Sequence, residues 1–225
     1  MLRVYNWMAS GLVLTGMVAY LIASVPELQA LFWQVGRNAA GYRVVAPTIL
    51  GWAAILSPLA FVLVLSFGIN RLSTGATQGL FWLFSAVMGA SLSNIFLVYT
   101  GASVARVFFI TAAMFAAVSL YGYTTKADLT RMGSFMMMGL IGIIIAGIVN
   151  IFIGSSALQF AISVIGVLIF AGLTAYDTQK LKEMYLYSGY DGEGAAKLAV
   201  NGALTLYLDF INMFQMLLSL LGDRR

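Results

Sequence analysis

Apolar segments of roughly 20 residues recur along the whole chain, separated by short polar breaks. A helix of about that length crosses the ~30 Å hydrocarbon core of a bilayer, where every backbone hydrogen bond must be satisfied internally. The pattern therefore predicts an all-α integral membrane protein with seven transmembrane helices in a single domain, residues 1–225. The predicted helices cover residues 4–25, 47–69, 78–99, 104–121, 134–153, 157–176 and 198–221.

Composition supports this class of protein. With 61% hydrophobic and 9% charged residues, the chain has too few polar side chains to cover a soluble globule. The first segment lacks a clear small-residue cleavage site and ends at Pro26 and Glu27, so we expect a retained helix rather than a signal peptide. The absence of histidine and cysteine excludes zinc sites, disulfides, thiol catalysis and imidazole pH switching. Any pH sensing must use carboxylates.

Basic residues in short loops tend to stay in the cytoplasm and so predict orientation. A cytoplasmic amino terminus places inside Arg3, Arg71, Lys126, Arg131, Lys180, Lys182 and Lys197. It places outside Arg37, Arg43, Arg106, Arg224 and Arg225. A re-entrant last segment would return Arg224 and Arg225 to the inside, so two topologies of that segment stay open. This clustering of positive charge fits membrane orientation, and we predict no nucleic-acid partner.

The longest outer connection, residues 27–46, contains the sequence LQALFW. An apolar segment ending in tryptophan is typical of a helix lying in the membrane interface. We therefore predict an interfacial helix here, with Trp33 as its aromatic anchor.

Two aspartates lie in or beside apolar segments. Asp209 lies in the middle of the apolar run 204–221, and Asp177 closes the preceding run. One aspartate at a bilayer centre costs about 2.5 to 3.5 kcal/mol on insertion scales, so an intramembrane acid is a functional-site hypothesis by default. Two such acids on neighbouring helices indicate a site that handles protons or cations.

Helical periodicity of about 100° per residue gathers polar residues on one face of the seventh helix. This stripe consists of Asn201, Thr205, Asp209, Asn212, Gln215 and Ser219. Lipid would not tolerate it, so the seventh helix should be central and face protein or a water-filled path. The sixth helix has a matching face made of Gln159, Ser163, Gly166, Thr174 and Asp177. For Asn201, Thr205, Gln159 and Ser163 we expect hydrogen bonds that bridge helices.

Small residues spaced four apart predict close helix packing. They are Ser85, Gly89 and Ser93 on the third helix, and Gly142 and Ala146 on the fifth. The run Met136, Met137 and Met138 covers different sides of the fifth helix, so we expect these side chains to face lipid or fill gaps rather than bind copper.

Two motifs resemble the signatures of a known family. AYDTQKLK at residues 175–182 and LYLDFINMF at residues 206–214 are similar to those of the Bax inhibitor-1 family, also called the transmembrane Bax inhibitor motif family, in its bacterial branch. The resemblance implies six helices around a seventh, a bacterial inner membrane, and a pH-sensitive calcium leak. It also implies an aspartate pH sensor at Asp177 and Asp209. An arginine from the second helix would further hold the closed form, and Arg71 is the candidate by position.

The electrostatics of two neighbouring carboxyl groups supports a pH sensor at this pair. Two carboxylates close together in a low dielectric cannot both ionise easily and can share a proton. A protonated pair would hold the sixth and seventh helices together. Deprotonation would free an oxygen-lined path for Ca²⁺ past Asn201, Thr205, Asn212 and Gln215, with Asp177 and Asp209 as ligands. The pairing requires the sixth helix to continue past Asp177 or the seventh to begin deeper in the membrane.

Two other functions stay open beside the channel or cation/proton exchanger. An intramembrane aspartyl protease also pairs aspartates, and Tyr176 with Asp177 fits one half of its motif, but Asp209 lacks the Gly-rich GxGD context. A regulator acting through helix contacts, on a membrane protease or a stress response, is implied for some members of the family. We predict that the chain is not an enzyme and needs no resident cofactor, with the bilayer, Ca²⁺ and protons as its partners.

Overall fold

A computed structural model describes residues 1–37, 43–68, 73–187 and 192–225. Within these ranges the chain is helical apart from one short hairpin and its connections. The elements are α1 (Leu2–Ser24), α2 (Pro26–Phe32), β1 (Trp33–Arg37), β2 (Arg43–Pro47), α3 (Ile49–Gly68), α4 (Thr74–Leu92), α5 (Ile95–Val98), α6 (Gly101–Thr124), α7 (Thr130–Ile153), α8 (Ser156–Tyr187) and α9 (Glu193–Leu221).

Six stretches in the described residues are helical, long and apolar enough to cross a membrane, which confirms an all-α integral membrane protein. They are Leu2–Ser24, Thr74–Val98, Gly101–Thr124, Thr130–Ile153, Ser156–Tyr187 and Gly194–Leu221. The remaining predicted segment, residues 47–69, coincides with α3, whose part Ile49–Phe61 is a shorter apolar helix. The seventh span and the central place of the last helix stay predictions.

Contacts divide the chain into two compact units. Unit 1 contains α6, α7, α8 and the later part of α9, and comprises Met1, Gly101–Tyr190 and Thr205–Asp223. Unit 2 contains α1 to α5 with the hairpin and the first turns of α9, and comprises Leu2–Thr100, Asp191–Leu204 and Arg224–Arg225.

In unit 2, α1 packs closely along α4. The Thr15 hydroxyl donates to the Ser85 carbonyl at 2.8 Å. A β-carbon at Gly89 would lie 2.6 Å from the Thr15 carbonyl oxygen, so only glycine allows this approach. The predicted packing role of Ser85 and Gly89 is confirmed.

The hairpin of unit 2 corrects the prediction for the outer connection. The helix α2 exists, but the chain then forms β1 and β2, which pair antiparallel from Trp33 opposite Pro47 to Arg37 opposite Arg43. Trp33 is only 3% exposed, and its indole nitrogen donates to the Ser93 hydroxyl at 2.7 Å. The expected interfacial anchor is therefore wrong, because the indole N–H has a partner on the segment after α4 and the ring is buried in the core.

In unit 1, α8 packs against both α6 and α7. Gly122 of α6 meets the Ala175 carbonyl, and Gly133 of α7 meets the ring of Tyr176. In α7, Gly133 and Ile143 are the buried residues, so most of its surface is available to lipid.

The remaining predictions for α7 have mixed outcomes. Met136 packs where Gly172 leaves space, whereas Met137 and Met138 are exposed, as expected for a gap filler and two lipid-facing residues. The packing role predicted for Gly142 is wrong, because nothing lies within 4 Å of where its β-carbon would be.

Candidate functional site

The length of α8 removes the obstacle to pairing the two aspartates. The prediction ended this helix at residue 176, but α8 runs over 32 residues, roughly 48 Å at 1.5 Å per residue, and continues to Tyr187. Asp177 therefore lies inside a continuous helix and not at its end. Its side chain is half-buried.

Asp177 and Asp209 are brought together in unit 1, where their carboxyl groups are close enough to share a hydrogen bond. Asp209 is 5% exposed, and its Oδ2 atom has no hydrogen-bond partner among the described residues. A carboxylate only accepts hydrogen bonds, so a bond between two carboxyl groups requires a proton on one of them. The pair is thus a site that can take up or release a proton.

Contacts along α8 and α9 place the aspartates in one antiparallel interface. Toward its other end, the Ser163 hydroxyl donates to the Ser219 hydroxyl at 3.1 Å. Between the two polar contacts, Gly166 makes room for Met216, whose Cγ would lie 3.0 Å from a β-carbon at position 166. The interface therefore has a polar contact near each end and a tightly packed apolar contact between them.

Gln159 and Ser163 bridge helices, as predicted. The Asn150 side-chain amide of α7 donates to Gln159 Oε1 at 3.3 Å. Gln159 in turn approaches the Ser163 hydroxyl at 3.5 Å. Together with Ser219, these residues connect α7, α8 and α9.

The predicted path-lining residues all lie on α9. Asn212 donates to the Leu208 carbonyl of its own helix at 2.8 Å. Asn201, Thr205 and Gln215 are half-buried on α9. A role in lining a path stays a prediction for these residues, and Arg71 lies outside the described residues.

Comparison with known proteins assigns the chain to a family. The family described as "Inhibitor of apoptosis-promoting Bax1" matches residues 1–225. The chain belongs to the Bax inhibitor-1 family. Relatives covered over 100% of this chain include the inner membrane protein YbhL of Escherichia coli (strain K12), 49% identical over 92% of its length. Others are proteins of Caulobacter vibrioides, 48% identical over 88%, and of Rickettsia prowazekii, 47% identical over 89%.

In this Bax inhibitor-1 family member, the residues after Asp177 hold α8 in place. The Thr178 hydroxyl lies 2.9 Å from the Ser119 hydroxyl of α6. Gln179 accepts from the Leu129 backbone N–H at 2.9 Å and donates to the Ala127 carbonyl at 2.8 Å, both in the α6–α7 connection. Sequence reasoning assigned Gln179 no role, although a buried amide beside an intramembrane acid, within the AYDTQKLK motif, is a recognisable signal.

The two ends of unit 1 differ in their charged residues. The end that holds the α6–α7 connection carries Lys126, Arg131, Lys180 and Lys182, four of the residues on which the orientation prediction rests.

At the opposite end, Arg106 and Asp223 form an ion pair at 2.9 Å. The later part of α9 thus extends from beside Asp177 to the beginning of α6, where the Asp223 backbone N–H donates to the Ser103 hydroxyl at 2.9 Å.

The carboxylates available to a cation are few. Within the described ranges, no group of three or more histidine, cysteine, aspartate or glutamate side chains is placed to hold a metal ion. Ca²⁺ takes about six to eight oxygen ligands. Asp177 and Asp209 could supply some of them to a passing ion, with water and backbone oxygens completing the shell.

Asp128 differs from the buried pair. It lies outside the spans and accepts hydrogen bonds from the hydroxyl and the backbone N–H of Thr130, the latter at 2.9 Å. These bonds, with a smaller contribution from Arg131, lower the pKa of the Asp128 carboxyl below its ordinary value. It therefore stays ionised around neutral pH.

Proposed function

We propose that this protein is a pH-sensitive calcium leak channel, or a cation/proton exchanger, controlled by Asp177 and Asp209. The observation that carries the proposal is the close approach of their carboxyl groups, one buried and one half-buried, between two helices long and apolar enough to span a membrane. An intramembrane carboxyl pair is costly for a purely structural role, since amides and hydroxyls bridge helices without an ionisable group. The motif resemblance supports the same function.

The mechanism follows from proton sharing. At low pH one proton bridges the two carboxyl groups and holds α8 against α9. When that proton leaves, two negative charges face each other in a poorly screened environment and repel. We infer that the helices then separate at this level, and that the freed carboxylate oxygens contact Ca²⁺ as it passes.

The polar face of α9 would line a path for the cation before and after Asp209 along the helix. Asn212 and Gln215 follow Asp209, whereas Thr205 and Asn201 precede it by one and two turns. Amide and hydroxyl oxygens can replace part of the water around a divalent cation. We therefore propose these four residues as the lining of the open path.

Orientation belongs to the same proposal. The basic end of unit 1, near Asp177, would face the cytoplasm, with the amino terminus on that side. The Escherichia coli relative is an inner membrane protein, which supports the same membrane for this chain. The gate would then lie toward the cytoplasm.

The direct test is Ca²⁺ flux into liposomes containing the purified protein, at about pH 6 and pH 8. We expect flux to rise with pH in the native protein. In Asp209→Asn the amide can donate to Asp177 without a shared proton, so the pair should stay closed and the pH dependence should disappear. Asp177→Asn should have the same effect for the same reason.

Other results would select another function. Absence of flux at both pH values, with protein that is folded by circular dichroism, would reject the channel. A regulator acting on a membrane protease would keep its activity in both asparagine variants. A protease would cleave a transmembrane substrate and lose that cleavage in both variants, whereas we propose no catalytic reaction for the pair.

A further inference from the structure

We propose that unit 1 carries a binding site for one phospholipid headgroup, in the cavity between the α6–α7 connection and the last turns of α8. The chemistry of the lining selects a zwitterionic headgroup with a phosphate and a primary ammonium, as in phosphatidylethanolamine. Lipid binding here is independent of the proposed ion flux, no step of which uses this cavity.

The cavity lies at the end of two apolar spans. Its volume is about 210 Å³, and its lining comprises residues 125–128 of the connection and one face of α8. One water molecule occupies about 30 Å³ of the liquid, so the cavity has room for a polar group of several atoms. The apolar span of α6 ends at Thr124 and that of α7 begins at Thr130. The connection between them therefore lies at the depth of the lipid headgroups.

The α8 side of the cavity follows from helical periodicity. Gln179, Lys182, Glu183, Leu186 and Tyr187 are spaced by three or four residues, so they share one face of the helix. Gln179 is buried, whereas Leu186 and Tyr187 are 65% and 84% exposed. This face therefore leads from a buried amide through two charged side chains to an exposed apolar end. Tyrosine is enriched at membrane interfaces, which agrees with the depth of the cavity.

Lys182 supplies a positive charge that is held in place. Its Nζ atom donates to the Tyr123 carbonyl at 2.9 Å and lies 5.2 Å from the centroid of the Tyr123 ring. An ammonium has three N–H donors, so donors remain for a ligand after the bond to the carbonyl. Lys126 on the connection adds a second positive charge to the lining. Lysine binds phosphate as a point charge, so these two residues provide the site for a phosphate group.

The same cavity is also lined by two carboxylates, Asp128 and Glu183. With Lys126 and Lys182 they give the lining as many negative as positive charges. A headgroup that carries only negative charge would be repelled by the two carboxylates, whereas one that carries both signs has a partner for each. This charge pattern favours a zwitterionic headgroup over an anionic one.

The carboxylates also indicate which kind of ammonium fits. A primary ammonium donates hydrogen bonds to carboxylate oxygens, whereas a quaternary ammonium has no N–H and is recognised by aromatic faces. Among the described lining residues Tyr187 is the one aromatic side chain, and the ring of Tyr123 nearby already has Lys182 over it. The site is therefore suited to an ethanolamine headgroup and not to a choline headgroup.

The surface of α6 suits a lipid better than a soluble ligand. Leu120 and Tyr121 lie about one turn before the connection and are 62% and 54% exposed. Exposed apolar side chains within a membrane span contact acyl chains. A phospholipid with its headgroup in the cavity can place its chains along this helix, whereas free phosphate or glycerophosphoethanolamine has no such contact.

The test measures lipid affinity directly. The full-length protein is delipidated in detergent and titrated, by native mass spectrometry, with phosphatidylethanolamine, phosphatidylcholine or phosphatidylglycerol of identical acyl chains. We expect phosphatidylethanolamine to bind about tenfold more tightly than either other lipid, the effect of one charge-assisted hydrogen bond. Inorganic phosphate and glycerophosphoethanolamine at the same concentration should not displace it.

Three substitutions locate the site. Glu183→Gln keeps the side-chain shape and removes one negative charge, so the tenfold preference over phosphatidylglycerol should be lost. Lys182→Met should weaken all three lipids by about tenfold, because each has a phosphate, and Lys182→Arg should keep the affinity by keeping the charge. The matched control is Lys180→Met, on the same helix but outside the lining, which should leave all three affinities unchanged.

Several outcomes would overturn the inference. Equal affinities for the three lipids in the native protein would show that the cavity does not select a headgroup. A preference that survives in Glu183→Gln would place the selective site elsewhere. Tighter binding of phosphatidylglycerol would indicate a site for anionic lipid, and displacement by glycerophosphoethanolamine would indicate a soluble ligand. Absence of Ca²⁺ flux would reject the proposed function and leave this inference standing.

Discussion

The carbonyl oxygen of Ala175 lies directly against Gly122, where a β-carbon would overlap it. This contact joins α6 to α8 two residues before Asp177. Gly122→Ala should therefore lower the free energy of unfolding by about 1 to 3 kcal/mol, as overpacking does in a close-packed interior. The measurement is the thermal unfolding midpoint in detergent.

A matched control exists on the neighbouring helix. Gly142 of α7 has nothing within 4 Å of its β-carbon position, so Gly142→Ala should leave the unfolding midpoint unchanged or raise it slightly through helix propensity. Equal midpoints for the two alanine variants would contradict the close contact between Gly122 and Ala175.

The stability of the hairpin in unit 2 should depend on the indole of Trp33. Trp33→Phe removes the hydrogen bond to the Ser93 hydroxyl inside the core, and we expect a loss of about 1 to 3 kcal/mol in unfolding free energy. Trp52→Phe is the control, because Trp52 is 56% exposed. If both variants unfold at the same temperature, Trp33 is not buried as described.

Lys180 should tune the pH response. Its positive charge favours ionised Asp177, so Lys180→Met should shift the pH midpoint of Ca²⁺ flux upward by about 0.2 to 0.7 unit, the size of an exposed charge interaction. High salt should reduce this difference by screening. Lys126→Met, in the α6–α7 connection, is the control, and a midpoint that moves equally in both variants would rule out a local effect.

Asp128 should not sense pH in the working range. Its lowered pKa means that its contribution to stability is complete above the unfolded value, about 3.9, and is lost only as pH falls through the lower folded value. Asparagine can still accept the Thr130 hydrogen bonds. We expect Asp128→Asn to leave the flux midpoint between pH 6 and 8 unchanged, and a clear shift in the same liposome assay would make Asp128 a second sensor.

The aspartate pair was predictable from the sequence, whereas the length of α8 and the contacts of Gln179 were not. The prediction paired Asp177 with Asp209 from motif and periodicity, yet ended the sixth helix at residue 176, where hydropathy falls. The residues that follow, TQKLKEM, are mostly strong helix formers, so the helix continues beyond the apolar run. Gln179 escaped notice because its two partners, Ala127 and Leu129, are distant in sequence and are backbone groups.

The hairpin and the packing of the glycines also depend on contacts that the sequence pattern did not specify. Strand pairing of residues 33–37 with 43–47 depends on cross-strand and packing contacts, which β-propensity alone does not specify. Spacing alone made Gly142 and Gly89 equivalent, whereas only Gly89 has a helix against it.

The sequence by itself determined that the protein lies in a membrane, how many long apolar segments it has, and that two aspartates lie in or beside them. Insertion into lipid depends on residue type and segment length, which the sequence contains. Only the tertiary structure decided that these acids lie close enough to share a hydrogen bond, that Thr178 and Gln179 hold α8 beside Asp177, and that Trp33 is buried. Those outcomes depend on distances between residues far apart in the chain, and such distances are set by packing.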